Sequence, residues 1–185
     1  MAKELTAEQI QSFVIPCHGQ LDKVKAMLAA EPRFLHVVYE PWQESGLGAA
    51  SHVGNRAIAE FLLAQGAEMT ICTAAMLGQL DTVKTFVAAD PTAANAEGAH
   101  GISLLFHAAL SGNTAVTDYL LAAGNNQDMS YALHAAIGKG RTEMVRWLLA
   151  RGATQEATNF QGKSPLQVAE ENGLDDIAAL LRAAA

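Results

Sequence analysis

The chain lacks most of what would tie it to a membrane, a nucleic acid or a reaction centre. No apolar run approaches the roughly 20 residues a membrane-spanning helix needs. The opening MAKELTAEQIQSF has neither the apolar core nor the cleavage pattern of a secretory signal. A soluble, cytoplasmic protein without membrane contact is the expectation. Basic clusters are missing too: 12 Lys and Arg stand against 19 Asp and Glu, a net charge of −7. Such a balance suits the phosphate backbone of DNA or RNA poorly, so no nucleic-acid partner is expected. Aromatic residues make up only 6% of a chain that is half hydrophobic. Closely packed, alanine-rich helices have that composition; a sheet sandwich does not. Cysteine is scarce, and Cys17 and Cys72 fall at non-corresponding places in the pattern described below. Both read as reduced thiols, not as a disulfide.

Catalytic and metal motifs are equally thin. The six histidines include no pair at i, i+4, and neither H-E-x-x-H nor paired C-x-x-C occurs. Cys17 and His18 are adjacent, but neighbours on a helix diverge by about 100°, which does not make a nucleophile and its base. Gly138-Lys139-Gly140 lacks the strand and the G-x-x-x-x-G-K-S/T frame of a phosphate loop. No catalytic residue, metal ligand set or cofactor follows from these spacings, and an enzyme is not expected. A zinc site assembled between distant segments is the one form of metal site they leave open.

What is present is a repeating hairpin. LHAAIGKGRTEMVRWLLARGA, from Leu133 to Ala153, holds a small-residue helix, a glycine turn, and a second helix with one apolar face of Met144, Val145, Leu148 and Leu149. Two such helices cannot bury that face alone, so copies beside them are required. The same arrangement recurs about Gly19, Gly54, Gly78, Gly112, Gly140 and Gly173, spaced by 35, 24, 34, 28 and 33 residues. Alanines precede most of these glycines: Ala49-Ala50, Ala74-Ala75, Ala108-Ala109, Ala135-Ala136 and Ala169.

A period near 33 with paired helices resembles the ankyrin repeat. LGAASHVGNRAIAEFLLAQGA, ALHAAIGKGRTEMVRWLLARGA and SPLQVAEENGLDDIAALL carry the likeness, with Gly162-Lys163-Ser164-Pro165-Leu166 as the most faithful turn. His134 alone occupies the family's histidine position; Gly48, Cys72, Phe106 and Gln167 stand there in other repeats. The resemblance implies an all-α solenoid, one ankyrin-repeat domain over 1–185, with repeats near 6–32, 44–66, 68–90, 101–124, 129–152 and 162–185. It also implies a non-enzymatic scaffold that binds a protein or peptide.

Local signals refine this. Thr6 and Gln9 form a capping-box pattern, and Pro16 predicts an early stop or kink in the first inner helix. Asn55 is a candidate N-cap, as is Ser164, with Pro165 at the first helical position. The connecting loop 33–45 carries Phe34, Tyr39 and Trp42, some of them expected to fold back over the end of the stack as a lid. Full finger loops are expected after the first, third and fifth pairs and clipped ones after the second and fourth. Leu121 and Leu149 are expected among the interior leucines, and Trp147 on the convex side or partly buried.

By the resemblance, the two residues before each turn glycine face the concave groove. They are Cys17/His18, His52/Val53, Met76/Leu77, Leu110/Ser111, Gly138/Lys139 and Glu171/Asn172. Val53, Met76, Leu77 and Leu110 would form an exposed apolar stripe unless they pack as core, and such patches mark contacts. Trp42, His100 and Phe160 fall at finger tips, where aromatic anchors favour interfaces. The expected partner-binding set is therefore Trp42, His52, Val53, Met76, Leu77, His100, Leu110, Ser111, Lys139 and Phe160. The alternative is a small-molecule or metal-binding sensor using His52, His100 and His107.

Overall fold

The structure is a computed structural model that describes residues 4–184. Twelve α-helices pair in sequence order among these residues. The pairs are α1 (Ala7–Val14) with α2 (Leu21–Ala30), α3 (Gly46–His52) with α4 (Arg56–Ala64), and α5 (Ile71–Met76) with α6 (Leu80–Ala89). They continue as α7 (Leu104–Ser111) with α8 (Thr114–Ala122), α9 (Met129–Gly138) with α10 (Thr142–Leu149), and α11 (Pro165–Glu171) with α12 (Asp175–Ala183). Inner helices pack on one another in order: α3 on α5, α5 on α7, α7 on α9, α9 on α11. The chain forms a solenoid in which each hairpin covers its neighbour's apolar face.

Alanine makes this packing close. Ala49, Ala50, Ala74, Ala75, Ala108, Ala109 and Ala136 are all fully buried, so inner helices approach without long side chains between them. The curvature is tight enough that α3 also reaches α7, past α5. At the turn after α3, a Cβ on Gly54 (φ +64) would lie 2.8 Å from Lys139 Cε and 3.3 Å from Leu110 Cδ2. The left-handed backbone favours glycine there, and any added Cβ would also displace the Lys139 stem.

The local signals take the expected forms. Thr6 and Gln9 close a capping box, Asn55 caps α4 and Ser164 caps α11. Pro16 ends α1 at Val14, and the chain continues as a 3-10 turn, Ile15–His18. The acidic residues Glu170, Glu171, Asp175 and Asp176 of the last pair are exposed, as a terminal repeat needs. The leucine register differs from expectation by one residue. Leu120 and Leu148 are fully buried, whereas Leu121 and Leu149 are half-buried, because α8 and α10 rotate the first leucine of the Leu-Leu pair inward. Trp147 is buried rather than merely convex-facing. Its Nε1 donates to Asp118 at 2.9 Å, and the Arg151 guanidinium lies 4.0 Å over its ring.

The first finger is a short hairpin of β1 (Val38–Tyr39) and β2 (Glu44–Ser45). The third pair ends in a bridge between Glu97 and Ser103, and the fifth in a turn closed by Asn159 and Gly162. Of the loop aromatics, Phe34 stacks on Phe13 of α1 at 4.9 Å, while Tyr39 packs edge-on to Trp42. Where the finger is clipped after α8, side chains supply the missing hydrogen bonds. Asn125 Nδ2 donates to the Ala94 carbonyl at 2.7 Å, and Gln127 Nε2 to those of Asn95 and Ala96. Gln127 Oε1 accepts from the Leu105 amide at 3.1 Å. Gln127→Ala should therefore cost about 1–3 kcal/mol, chiefly by taking the partner from the amide of buried Leu105. Urea unfolding with circular dichroism would read this as a lower midpoint with unchanged native helicity.

Candidate functional site

The concave face holds one open groove of about 860 Å³ running from the first repeat to the last. His18, His52 and His100 stand at one end and Phe160 and Val168 at the other, with Leu110, Ala135, Gly138 and Lys139 between. The floor comes from the ends of the inner helices, where the sequence places small and aliphatic residues. Its lips come from the fingers. Phe160 is 97% exposed and Tyr131 55% exposed, so two aromatic rings stand free at the rim.

Six of the ten residues expected from the sequence line this groove: His52, Val53, His100, Leu110, Lys139 and Phe160. Trp42 adjoins it through its ring contact with His100 at 6.3 Å. The exposed apolar stripe is a correction. Met76 and Leu77 are 3% and 5% exposed and belong to the core, and Leu110 is 6% exposed although it borders the groove. The tight curvature brings neighbouring turns together there, and Arg56 reaches across to donate to the Leu77 carbonyl at 2.7 Å. Ser111 is also removed from the groove, since its hydroxyl donates to the Ala108 carbonyl and accepts from the Asn113 amide. Lys139 lies with its stem over Gly54; burial lowers its pKa, and the nearby Arg141 adds to the effect.

At the first-repeat end the fold gathers a group that no local motif announced. Glu44, on β2, is completely buried. Its Oε1 lies 2.9 Å from His52 Nδ1, 3.3 Å from His100 Nε2 and 3.7 Å from His18 Nε2. The His52 contact is the shortest of the three, and Oε2 is buried without a hydrogen-bond partner. Burial pushes the Glu44 carboxyl up. The adjacent His52 and the charges of His18 and His100 pull it down further, leaving it below the ordinary value. The three histidines come from the 3-10 turn after α1, the end of α3 and the tip of the third finger. His18 and His52 were readable as groove positions in adjacent repeats and His100 as a finger tip. Glu44 was not, because nothing in its local sequence marks a buried charge.

The remaining titratable groups have structural roles. His107, named with the sensor alternative, stands apart from this cluster, with Nδ1 2.8 Å from the Ser103 carbonyl and its ring against Gly98. His134 Nε2 lies 2.8 Å from the Ala157 carbonyl and ties the fifth finger. Cys17 and Cys72 are free and buried. Burial pushes both thiols up to about 12, with the charge of Glu44 adding to the rise at Cys17. Thiols held protonated in this way are poor nucleophiles.

Comparison with known proteins agrees with this architecture. Residues 71–154 and 105–185 match the family described as ankyrin repeats (3 copies). The chain belongs to the ankyrin-repeat family. It is 30% identical over 131 residues to cyclin-dependent kinase 4 inhibitor B of Rattus norvegicus, an alignment covering 66% of this chain and 98% of the relative. The Mus musculus protein of the same name is 29% identical over the same length and with the same coverage. A shorter stretch of 51 residues, 28% of this chain, is 41% identical to 6% of the potassium channel AKT1 of Arabidopsis thaliana. Among the described residues no helix is long and apolar enough to cross a membrane.

Proposed function

We propose that this ankyrin-repeat chain is a non-catalytic scaffold that holds a segment of a partner protein in its concave groove. The groove itself carries the reading: about 860 Å³ of open space on a rigid stack, bordered by the exposed rings of Phe160 and Tyr131. Aromatic side chains left in water at the edge of an apolar trough are the anchors interfaces favour, and they bury large area at small entropic cost. Val53, Ile102, Phe106, Leu110 and Val168 along the trough suit apolar side chains of the bound segment. The rat and mouse relatives, named as inhibitors of a cyclin-dependent kinase, support a protein as the partner. The net charge of −7 counts against nucleic acid in the same role.

The test is affinity capture from the native cell extract with paired variants, followed by titration of whatever is captured. Replacing both Phe160 and Tyr131 by Asp should weaken the complex by about thirtyfold or more, the loss of a hot-spot pair. Thr85→Lys, on the exposed side of α6, should leave it unchanged. Equal capture by the groove variant, with loss by the α6 variant, would move the binding face to the outer helices.

A further inference from the structure

We propose that His18, Glu44 and His52 form a binding site for one divalent transition-metal ion of the zinc type, with His100 at its edge. The inference is independent of the partner reading. It begins with the distances. Two donors of one tetrahedral zinc, each bound at about 2.1 Å, sit about 3.4 Å apart. The imidazole nitrogens here lie 2.9, 3.3 and 3.7 Å from Glu44 Oε1, values that bracket this spacing. The donor atoms of His18, Glu44 and His52 are all within 4.8 Å of one another.

Hydrogen bonding points the same way. His18 Nδ1 lies 3.0 Å from the Ile15 carbonyl, which can only accept, so Nδ1 carries the proton. In the neutral ring Nε2 then presents a lone pair towards a carboxylate that also offers lone pairs. Metal-ligating histidines commonly have this arrangement, one nitrogen on a backbone carbonyl and the other free to bind. His52 Nδ1 lies 2.9 Å from Glu44 Oε1, and Glu44 Oε2 is buried without a hydrogen-bond partner. A fully buried carboxylate is costly unless a cation satisfies it: the imidazolium charges when the rings are protonated, and a bound metal ion when they are neutral. A metal ion centred among His18, Glu44 and His52 converts facing acceptors into ligands.

His100 supports the assignment from the backbone. It is a non-glycine residue in the left-handed region, at φ +59, a conformation that turns its ring back towards Glu44. Strain of this kind collects at ligand sites. Its side chain is 40% exposed and that of His18 34%, so an ion can enter from the groove. Imidazole nitrogens with a single carboxylate select zinc, cobalt, nickel or copper over calcium and magnesium, which take all-oxygen shells.

The experiment uses the full chain, stripped by a chelator and titrated with Zn(II) and, for its colour, Co(II). One ion per chain should bind, the melting temperature should rise, and Co(II) should show the intense visible bands of a four-coordinate site. Glu44→Gln and His52→Gln should each lower affinity at least about tenfold, while His36→Gln, on an exposed histidine outside the cluster, should not change it. His18→Gln, in the partly exposed 3-10 turn, gives the same reading if either variant fails to fold. Absence of any stabilisation by Zn(II), Co(II), Ni(II) or Cu(II) overturns the proposal. So does binding that survives undiminished in the cluster variants.

Discussion

Leu148→Ala should lower the unfolding free energy by about 2–5 kcal/mol in urea titration, whereas Leu149→Ala should cost only about 1 kcal/mol. The two leucines are adjacent and chemically identical, and what separates them is the rotation of α10. Leu148 is fully buried in the core that also holds Leu133, Ile137, Met144, Ile177 and Leu181. Truncating it removes methyl contacts on all sides and leaves a cavity that close-packed neighbours cannot fill. Leu149 is half-buried, and its truncated site stays open to water. Because α10 packs on both α9 and α12, the Leu148 variant should also loosen the last pair first, as expected of an array held by nearest-neighbour contacts. Similar losses at both positions would show that the rotation of α10 has been assigned wrongly.

Acid should destabilise the protein through His107, by up to about 3 kcal/mol. The residue is 1% exposed, and burial holds its pKa down at about 4 from the ordinary 6.5. The bond to the Ser103 carbonyl opposes this drop, and the charge of His52 adds to it. Between those two values the unfolded chain binds a proton that the folded chain does not. Stability therefore rises with pH across this window and is lost as pH falls from about 6.5 through about 4. The measurement is urea unfolding at intervals between pH 7 and pH 4 for the wild type and His107→Gln. The variant should show a shallower pH dependence even if it is less stable at pH 7. Parallel curves would mean that His107 does not carry the acid sensitivity.

The fold was legible because its determinants are local. Glycine turns, alanine-rich inner helices and caps at Thr6, Asn55 and Ser164 each act within a few residues, and each is where the sequence placed it. The groove was legible in part. His52, Val53, Leu110, Lys139 and Phe160 follow from their place in the repeat, but whether such positions are open depends on curvature, a property of the assembled stack. Met76 and Leu77 are closed off in the assembled stack, where Arg56 also reaches the Leu77 carbonyl, a contact over a long sequence distance that no single repeat encodes. Leu121 and Leu149 were expected inside for a related reason: a Leu-Leu pair does not reveal which member an outer helix turns inward. Glu44 lay furthest out of reach. It is a carboxylate in a loop sequence, and its meaning appears only when three histidines from three other segments converge on it.

The claim at the centre of this account is that the concave groove is the working face. Amide hydrogen exchange, compared for the free chain and the chain saturated with a captured partner, tests it most directly. Protection should increase along the groove, in α7, α9 and the finger around Phe160, with the outer helices α6, α8 and α10 unchanged. Protection confined to those outer helices, with the groove exchanging as before, would contradict it.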